Sequence, residues 1–128
     1  MLSGDKASAA LGMELQNVGA GTATLSMLVR RDMVNGHNIA HGGMVFSLAD
    51  TAFACACNSH NVVNVAQSCH INFTRPALLG DVLTAKAVEV TRGRRSGVYD
   101  VRVENQDGKL VALFRGQCAN LNENIVET

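Results

Sequence analysis

One acidic side chain, Asp50, stands alone in a long stretch of sequence. It is the single Asp, Glu, Lys or Arg between positions 33 and 74, and apolar residues surround it at helical spacing. A carboxylate on an apolar helix is costly unless it is paired or used in chemistry. Gly42 and Gly43 precede it, and the free N–H groups at the start of a helix bind negative charge. A carboxylate and an oxyanion site in one segment predict acyl-transfer chemistry.

The spacing of these two features limits how they can act together. Asp50 lies eight residues after Gly42, which on a helix is about 12 Å along the axis. Both groups of one chain therefore cannot reach the same carbonyl by direct contact, and we expect a site assembled from two subunits. The structural alternative is an Asp50 that bonds to a neighbouring hydroxyl, Ser47 or Thr51, behind a plain loop-to-helix turn.

The elements that position these residues can be predicted from periodicity. Apolar residues at intervals of three and four predict a helix over residues 42–59. Its second face carries small polar groups and no long charged side chain, which indicates contact with another surface. Residues 1–10 are predicted to be a weakly helical lead-in, residues 22–30 a strand, and residues 31–41 a loop around Asn35-Gly36.

Four β-like stretches follow the helix, and turn residues separate them. They cover residues 62–75, 81–92, 97–105 and 109–120. We expect them to form an antiparallel meander of four strands in chain order. A long apolar helix must be covered, and a curved antiparallel sheet around it is the economical solution. The fold class predicted is therefore α+β, in one domain over residues 1–128.

Composition narrows the class of protein. Hydrophobic residues make up 47% of the 128 residues and charged residues 17%, so we expect apolar surface to be buried in an oligomer. A formal net charge of zero gives no reason to expect nucleic-acid or membrane binding. No apolar run approaches the ~20 residues of a membrane span. Residues 1–10 lack the features of a signal peptide, so we expect a cytoplasmic protein.

Cysteine and histidine do not form a metal pattern. The four cysteines contain no C-x-x-C pair and are expected to be small buried apolar residues in a reducing compartment. His37 and His41 are four apart, but the glycines around them indicate a loop and no acidic ligand lies nearby. We expect no metal site, and His60 and His70 are expected to be structural.

Five motifs along the chain form a recognisable set. They are Asn35-Gly-His-x-x-x-His41-Gly42-Gly43, Ser47-Leu-Ala-Asp50-Thr-Ala-Phe-Ala, Asn72-Phe-x-Arg75-Pro76, Gly97-Val-Tyr-Asp-Val and Val111-Ala-Leu-Phe-Arg-Gly. Together they resemble the phenylacetic acid degradation thioesterases, a branch of the hotdog-fold acyl-CoA thioesterase superfamily. The resemblance runs from about residue 11 to residue 116.

The resemblance implies a hotdog fold, in which an antiparallel sheet wraps around a long central helix. It implies homodimers that join their sheets edge to edge, share their active sites between subunits and pair into homotetramers. The reaction implied is hydrolysis of an acyl-CoA thioester, with ring-hydroxylated phenylacetyl-CoA as the expected substrate class. The family uses no metal and no prosthetic group.

The resemblance also assigns roles to individual residues. Asp50 takes the position of the catalytic carboxylate, as general base or as nucleophile. The backbone N–H of Gly42 takes the position that polarises the thioester carbonyl. His41 supports the loop, and Asn35 holds the attacking water or the carbonyl region.

Further residues are expected to bind the substrate. They are Gly43, Thr51, Arg75 and Arg94. The two arginines are candidates for the phosphates of CoA, because guanidinium groups pair with phosphate. Solvated turn charges are the structural alternative for both.

Three other functions fit the same pattern. A thioesterase of broader acyl specificity would share the whole site. A hotdog hydratase or dehydratase would change an enoyl thioester without releasing thiol. A non-catalytic acyl-CoA-binding module would bind CoA esters tightly without turnover.

Overall fold

The computed structural model describes residues 4–124, and its framework is an antiparallel sheet packed around one long helix. The six strands run in the order β1-β2-β4-β5-β6-β3, and α2 touches all six of them. The helices and strands are α1 (Lys6–Ala10), β1 (Glu14–Gly19), β2 (Thr22–Leu28), α2 (Gly42–Cys57), β3 (Val62–Phe73), β4 (Val82–Arg92), β5 (Ser96–Glu104) and β6 (Leu110–Asn124). This is the predicted α+β hotdog architecture.

The central helix α2 begins and ends where the sequence predicts, within two residues. Its apolar face is buried against β2, β4 and β5, and Leu48, Ala52 and Phe53 are each at most 1% exposed. At its C-terminal end the Asn58 Nδ2 donates to the carbonyl of Ala54 at 2.8 Å, which caps the last turn. The face that carries Asp50 is half-buried in the protomer.

The pairing of β3 corrects the predicted meander. β4, β5 and β6 do pair in chain order, but β3 pairs with β6 and not with β4. β4 instead pairs with β2, which comes before the helix. Turn residues predict where strands end, but they do not predict which strands pair. Strand order depends on how the strands pack on α2. β3 therefore becomes an edge strand of the sheet.

The N-terminal region is more ordered than the sequence predicts. The lead-in contains the short helix α1, capped by Asp5, whose side chain accepts a hydrogen bond from the Ser8 N–H. β1 was not predicted, and it pairs with β2 as the other edge of the sheet. Nearly all side chains of β1 are exposed. Its sequence therefore lacks the alternation of apolar and polar residues that marks a half-buried strand.

Three of the four cysteines are buried, as predicted, but Cys69 on β3 is exposed, and all four are free thiols. Within residues 4–124 no helix is long and apolar enough to cross a membrane.

Candidate active site

Asp50 lies on α2 at the wall of a cleft of about 310 Å³. Burial raises the pKa of its carboxyl above the ordinary value. The neighbouring hydroxyls do not satisfy it: Ser47 Oγ donates to the Gly43 carbonyl at 2.7 Å, and Thr51 Oγ1 donates to the Ser47 carbonyl at 2.8 Å. Asp50 accepts no hydrogen bond from the described part of the chain. The structural alternative for Asp50 therefore does not hold within the protomer.

The N-terminal segment forms the opposite wall of this cleft. Asp5 accepts hydrogen bonds from the Ser8 N–H at 3.0 Å and from its hydroxyl at 2.6 Å. The Ser8 hydroxyl lies 3.3 Å from Thr51 Oγ1, and both side chains are buried. Sequence reasoning missed this contact. The available signal was Asp5 three residues before Ser8, which is a capping pattern for a short helix.

Apolar residues complete the Asp50 cleft. The apolar residues that line it are Ala7, Leu11, Met13 and Phe46. Together with the polar Asp5–Ser8 pair, they give a pocket with an apolar wall and a few polar groups beside the carboxylate. This is the usual composition of a small-molecule site.

Gly42 lines a second cleft, of about 390 Å³, at the N-terminal end of α2. His41 occupies the N-cap position without a side-chain capping bond. In the described residues, the Gly42 and Gly43 N–H groups donate no hydrogen bond, as expected at a helix start. Phe73, Thr74 and Arg75 also line this cleft. The free N–H groups and the helix dipole make the cleft suitable for a developing negative charge.

The loop before Gly42 is held by its own polar groups. Asn35 Oδ1 accepts the N–H of His37 at 2.9 Å and of Ile39 at 3.1 Å. The His41 N–H donates to the carbonyl of Met33 at 2.9 Å, while its side chain is exposed. Asn35 therefore shapes the loop with its side-chain carbonyl oxygen, and its side-chain amide nitrogen donates no hydrogen bond to the described part of the chain.

The two clefts share no lining residue. Asn35 and His41 line neither cleft. Within one protomer, Asp50 and Gly42 thus lie in different clefts, as the helix rise predicts. β3 spans both positions, because Phe73 contacts Gly42 and the negative charge of Asp50 reaches Cys69. After the larger effect of burial, that charge raises the pKa of the Cys69 thiol.

The predicted substrate-binding residues divide between these places. Arg75 lines the Gly42 cleft, and Gly43 lies beside it at the helix start. Thr51 lines the Asp50 cleft, but its hydroxyl is engaged with Ser47 and Ser8. Arg94 is exposed in the β4–β5 turn and lines neither cleft. Residues 4–124 contain no group of three His, Cys, Asp or Glu that could hold a metal ion.

Comparisons with known proteins match this chain over most of its length. Residues 37–112 match the family model described as the thioesterase superfamily. The acyl-coenzyme A thioesterase PaaI of Escherichia coli K12 is 48% identical over 117 residues, which are 91% of this chain and 84% of that protein.

Solved structures agree with this match. The structure of the E. coli PaaI protein from the phenylacetic acid degradation operon has a TM-score of 0.96 and 45% identity, and the match covers 98% of this chain and 91% of that chain. A hypothetical thioesterase protein from Streptococcus pneumoniae, solved with coenzyme A, has a TM-score of 0.84 and 28% identity, with 88% of each chain covered.

Proposed function

The chain belongs to the thioesterase superfamily, and on that premise we propose that it hydrolyses aryl-CoA thioesters to the free acid and CoA. The proposed substrate class is phenylacetyl-CoA and its ring-hydroxylated forms. The similarity to an acyl-CoA thioesterase from a phenylacetic acid degradation operon supports this class. A cytoplasmic location stays a prediction.

The observation that carries the proposal is the unsatisfied carboxylate of Asp50. It is half-buried, has no donor among residues 4–124, and lines a cleft with an apolar wall. A carboxylate kept in this state reduces stability, and such groups concentrate at functional sites. The neighbouring hydroxyls could have satisfied it, yet both donate to backbone carbonyls of α2.

The proposed chemistry divides the work between two subunits. The N–H of Gly42 from one subunit donates a hydrogen bond to the thioester carbonyl oxygen. Asp50 from the other subunit promotes attack on the carbonyl carbon. As general base, Asp50 takes a proton from water while the water oxygen bonds to carbon. As nucleophile, its oxygen forms an anhydride that water then hydrolyses. In both routes the C–S bond breaks and the CoA sulfur leaves as thiolate, which takes up a proton.

The edge strand β3 supports a shared site. Its twelve residues contain no Asp, Glu, Lys, Arg or Pro, and its central residues are exposed. A long uncharged edge strand offers a row of free backbone groups to another strand. We propose that two β3 strands pair antiparallel in a homodimer, and that dimers associate further into a tetramer. Because β3 runs beside both Gly42 and Asp50, this pairing brings the two clefts of different subunits together.

Arg75 is the better supported of the two predicted phosphate ligands. It lines the cleft that contains Gly42, so it can pair with a CoA phosphate while the thioester lies at the helix start. Arg94 belongs to the proposal only if the second subunit brings the β4–β5 turn to the cleft mouth. Arg75→Ala should therefore raise KM for CoA esters more than Arg94→Ala does.

A thiol-release screen over aryl-CoA and alkyl-CoA esters tests the function. We expect release of free CoA thiol to be fastest with phenylacetyl-CoA and hydroxyphenylacetyl-CoA. Equal rates with alkyl-CoA esters would favour a thioesterase of broader specificity. An enoyl-CoA absorbance change without thiol would identify a hydratase, and tight binding without turnover would identify a binding module.

Complementation between two inactive variants tests the shared site. Asp50→Asn and Gly42→Ala chains are co-expressed, so that a mixed dimer contains one intact site and one doubly damaged site. Random pairing of subunits then restores about a quarter of wild-type turnover, since half of the dimers are mixed. A mixture no more active than either variant alone would place both residues in one chain. Co-expression of two differently tagged Asp50→Asn chains is the control.

A further inference from the structure

The last residue of β3, Phe73, places its ring where a side chain at position 42 would begin. A methyl group added at Gly42 would come within 3.0 Å of the ring atom Cζ, 3.4 Å of Cε2 and 3.5 Å of Cε1. Gly42 is not among the glycines with positive φ. Space and not backbone conformation therefore favours glycine at position 42, because the ring would have to shift to admit a side chain.

We propose that Phe73 is a positioning residue for the oxyanion site. Its ring braces the backbone of Gly42 and so fixes the direction in which the Gly42 N–H points. The inference rests on the proposed function, in which that N–H donates a hydrogen bond to the thioester oxygen. A donor contributes to an oxyanion site only when it is held in place before charge develops. A half-ångström of freedom at Gly42 would weaken that contribution.

The ring is itself held on a fixed support. Directly after Phe73, the N–H groups of Thr74 and Arg75 both donate to the Val111 carbonyl, at 2.9 and 3.4 Å. The Thr74 hydroxyl donates to the Leu110 carbonyl at 2.9 Å. These bonds anchor the end of β3 on β6, so the backbone from which the Phe73 ring extends is fixed beside Gly42.

The loop before Gly42 is tied to the segment that follows β3. The Ala40 N–H donates to the carbonyl of Ala77 at 2.8 Å. Ile39 and Leu78 form an isolated bridge. These contacts fix the loop that leads into Gly42 relative to the segment that continues from Phe73.

Phe73 does not serve mainly to build the core. Its side chain is 53% exposed in the protomer, and it lines the cleft that contains Gly42. The buried aromatic rings are elsewhere, where Phe53 packs on Tyr99 and Phe114. Removal of the Phe73 ring should therefore affect turnover more than stability.

Kinetics of a double-mutant cycle tests the proposal. Gly42→Ala, Phe73→Ala and the double variant are compared with the wild type by thiol release. Gly42→Ala keeps its N–H, but the clash with the ring should turn that N–H away from the substrate. We therefore expect a loss of roughly 100-fold in kcat, the size of one oxyanion donor out of reach. Phe73→Ala should lose roughly tenfold in kcat with a smaller change in KM, because the donor is present but less well fixed. In the Phe73→Ala background, Gly42→Ala should cost less than about threefold more, since its clash is gone.

Phe73→Leu separates positioning from a merely structural role. It keeps an apolar group over Gly42, so its kcat should lie between those of the wild type and Phe73→Ala. The proposal is overturned if Gly42→Ala lowers kcat equally in both backgrounds, because the methyl group would then clash with substrate and not with the ring. It is also overturned if Phe73→Ala changes KM alone, which would make Phe73 a binding residue.

Thermal melting tests the contact between Phe73 and position 42 independently of catalysis. Gly42→Ala should lower the Tm by about 3 °C or more in the wild type, as an overpacked site does, but not in Phe73→Ala. Gly43→Ala is the melting control, because nothing lies within 4 Å of its added methyl group. If the wild type releases no thiol, the proposed function fails, and the positioning role fails with it. The melting result still decides whether the ring excludes a side chain at Gly42.

Discussion

Asp50 and Glu89 are both partly buried carboxylates, but only Glu89 has hydrogen-bond donors. The Tyr99 hydroxyl donates to Glu89 Oε1 at 2.8 Å, and His60 Nε2 lies 2.8 Å from the same oxygen. Asp50 receives no such bond in the described part of the chain. Glu89 links β4 to β5 and to the turn after α2, whereas Asp50 faces a cleft.

The two environments move the two pKa values in opposite directions. Burial raises the pKa of Asp50. Burial acts in the same direction on Glu89, but the hydrogen bonds from Tyr99 and His60 outweigh it and lower the pKa of Glu89. Glu89, which joins β4, β5 and the turn after α2, thus has hydrogen-bond donors, and Asp50, the proposed catalytic carboxylate, has none in the described part of the chain.

The largest effect is expected at Asp50. Asp50→Asn keeps the shape of the side chain and removes its charge, so turnover of phenylacetyl-CoA should fall by roughly 1000-fold. Stability at pH 7 should not fall, since the variant removes an unpaired charge from a partly buried place. Thiol release and urea unfolding measure the two effects. Asp107→Asn in the exposed β5–β6 turn is the control, and wild-type turnover in Asp50→Asn would refute the mechanism.

The pH dependence of turnover gives the next largest effect. Asp50 must be ionised to act as base or nucleophile, so kcat/KM should fall about tenfold per pH unit below its pKa. Because burial raises that pKa, the acid limb should lie above the value near 4 of an ordinary aspartate. A limb at or below pH 4 would contradict the environment described for Asp50.

Glu89→Gln should show the reverse pattern to Asp50→Asn. Turnover should stay within about twofold of the wild type, because Glu89 lines neither cleft. Stability should fall by about 1–2 kcal/mol, since two hydrogen bonds to a charged acceptor are weakened. Urea unfolding at pH 7 measures the loss. A variant that is stable but inactive would show that this cluster takes part in the reaction.

The smallest effect is the pH dependence of the stability of Glu89→Gln and Asp50→Asn relative to the wild type. Glu89 has a lowered pKa, so its stabilisation is present above the unfolded value near 4.3 and is lost as pH falls through the folded value. Asp50 has a raised pKa, so its cost is present at pH 7 and disappears below the unfolded value near 3.9. Between pH 7 and pH 4, the advantage of Asp50→Asn should therefore shrink, whereas the deficit of Glu89→Gln should persist over that range and shrink only as the pH falls below about 4. Unfolding free energies at several pH values test this.

The sequence shows the candidate site residues more clearly than it shows the residues that surround them. A solitary Asp50 and the Gly42-Gly43 helix start are visible as residue types at fixed spacing. The wall formed by Asp5 and Ser8 was missed, because contacts across 43 positions, such as Ser8 to Thr51, leave no periodic signal. Arg94 was predicted to bind substrate from local charge alone, and the structure places it outside both clefts of the protomer.

Local patterns by themselves determined the long helix, five of the six strands and the separation of Asp50 from Gly42 along α2. These depend on periodicity and on the helix rise, which are properties of neighbouring residues. Tertiary structure alone decided that β3 pairs with β6 and becomes the free edge, and that the Phe73 ring lies on Gly42. Strand order and ring contacts depend on which distant surfaces pack best on the helix, and no spacing in the chain encodes that choice.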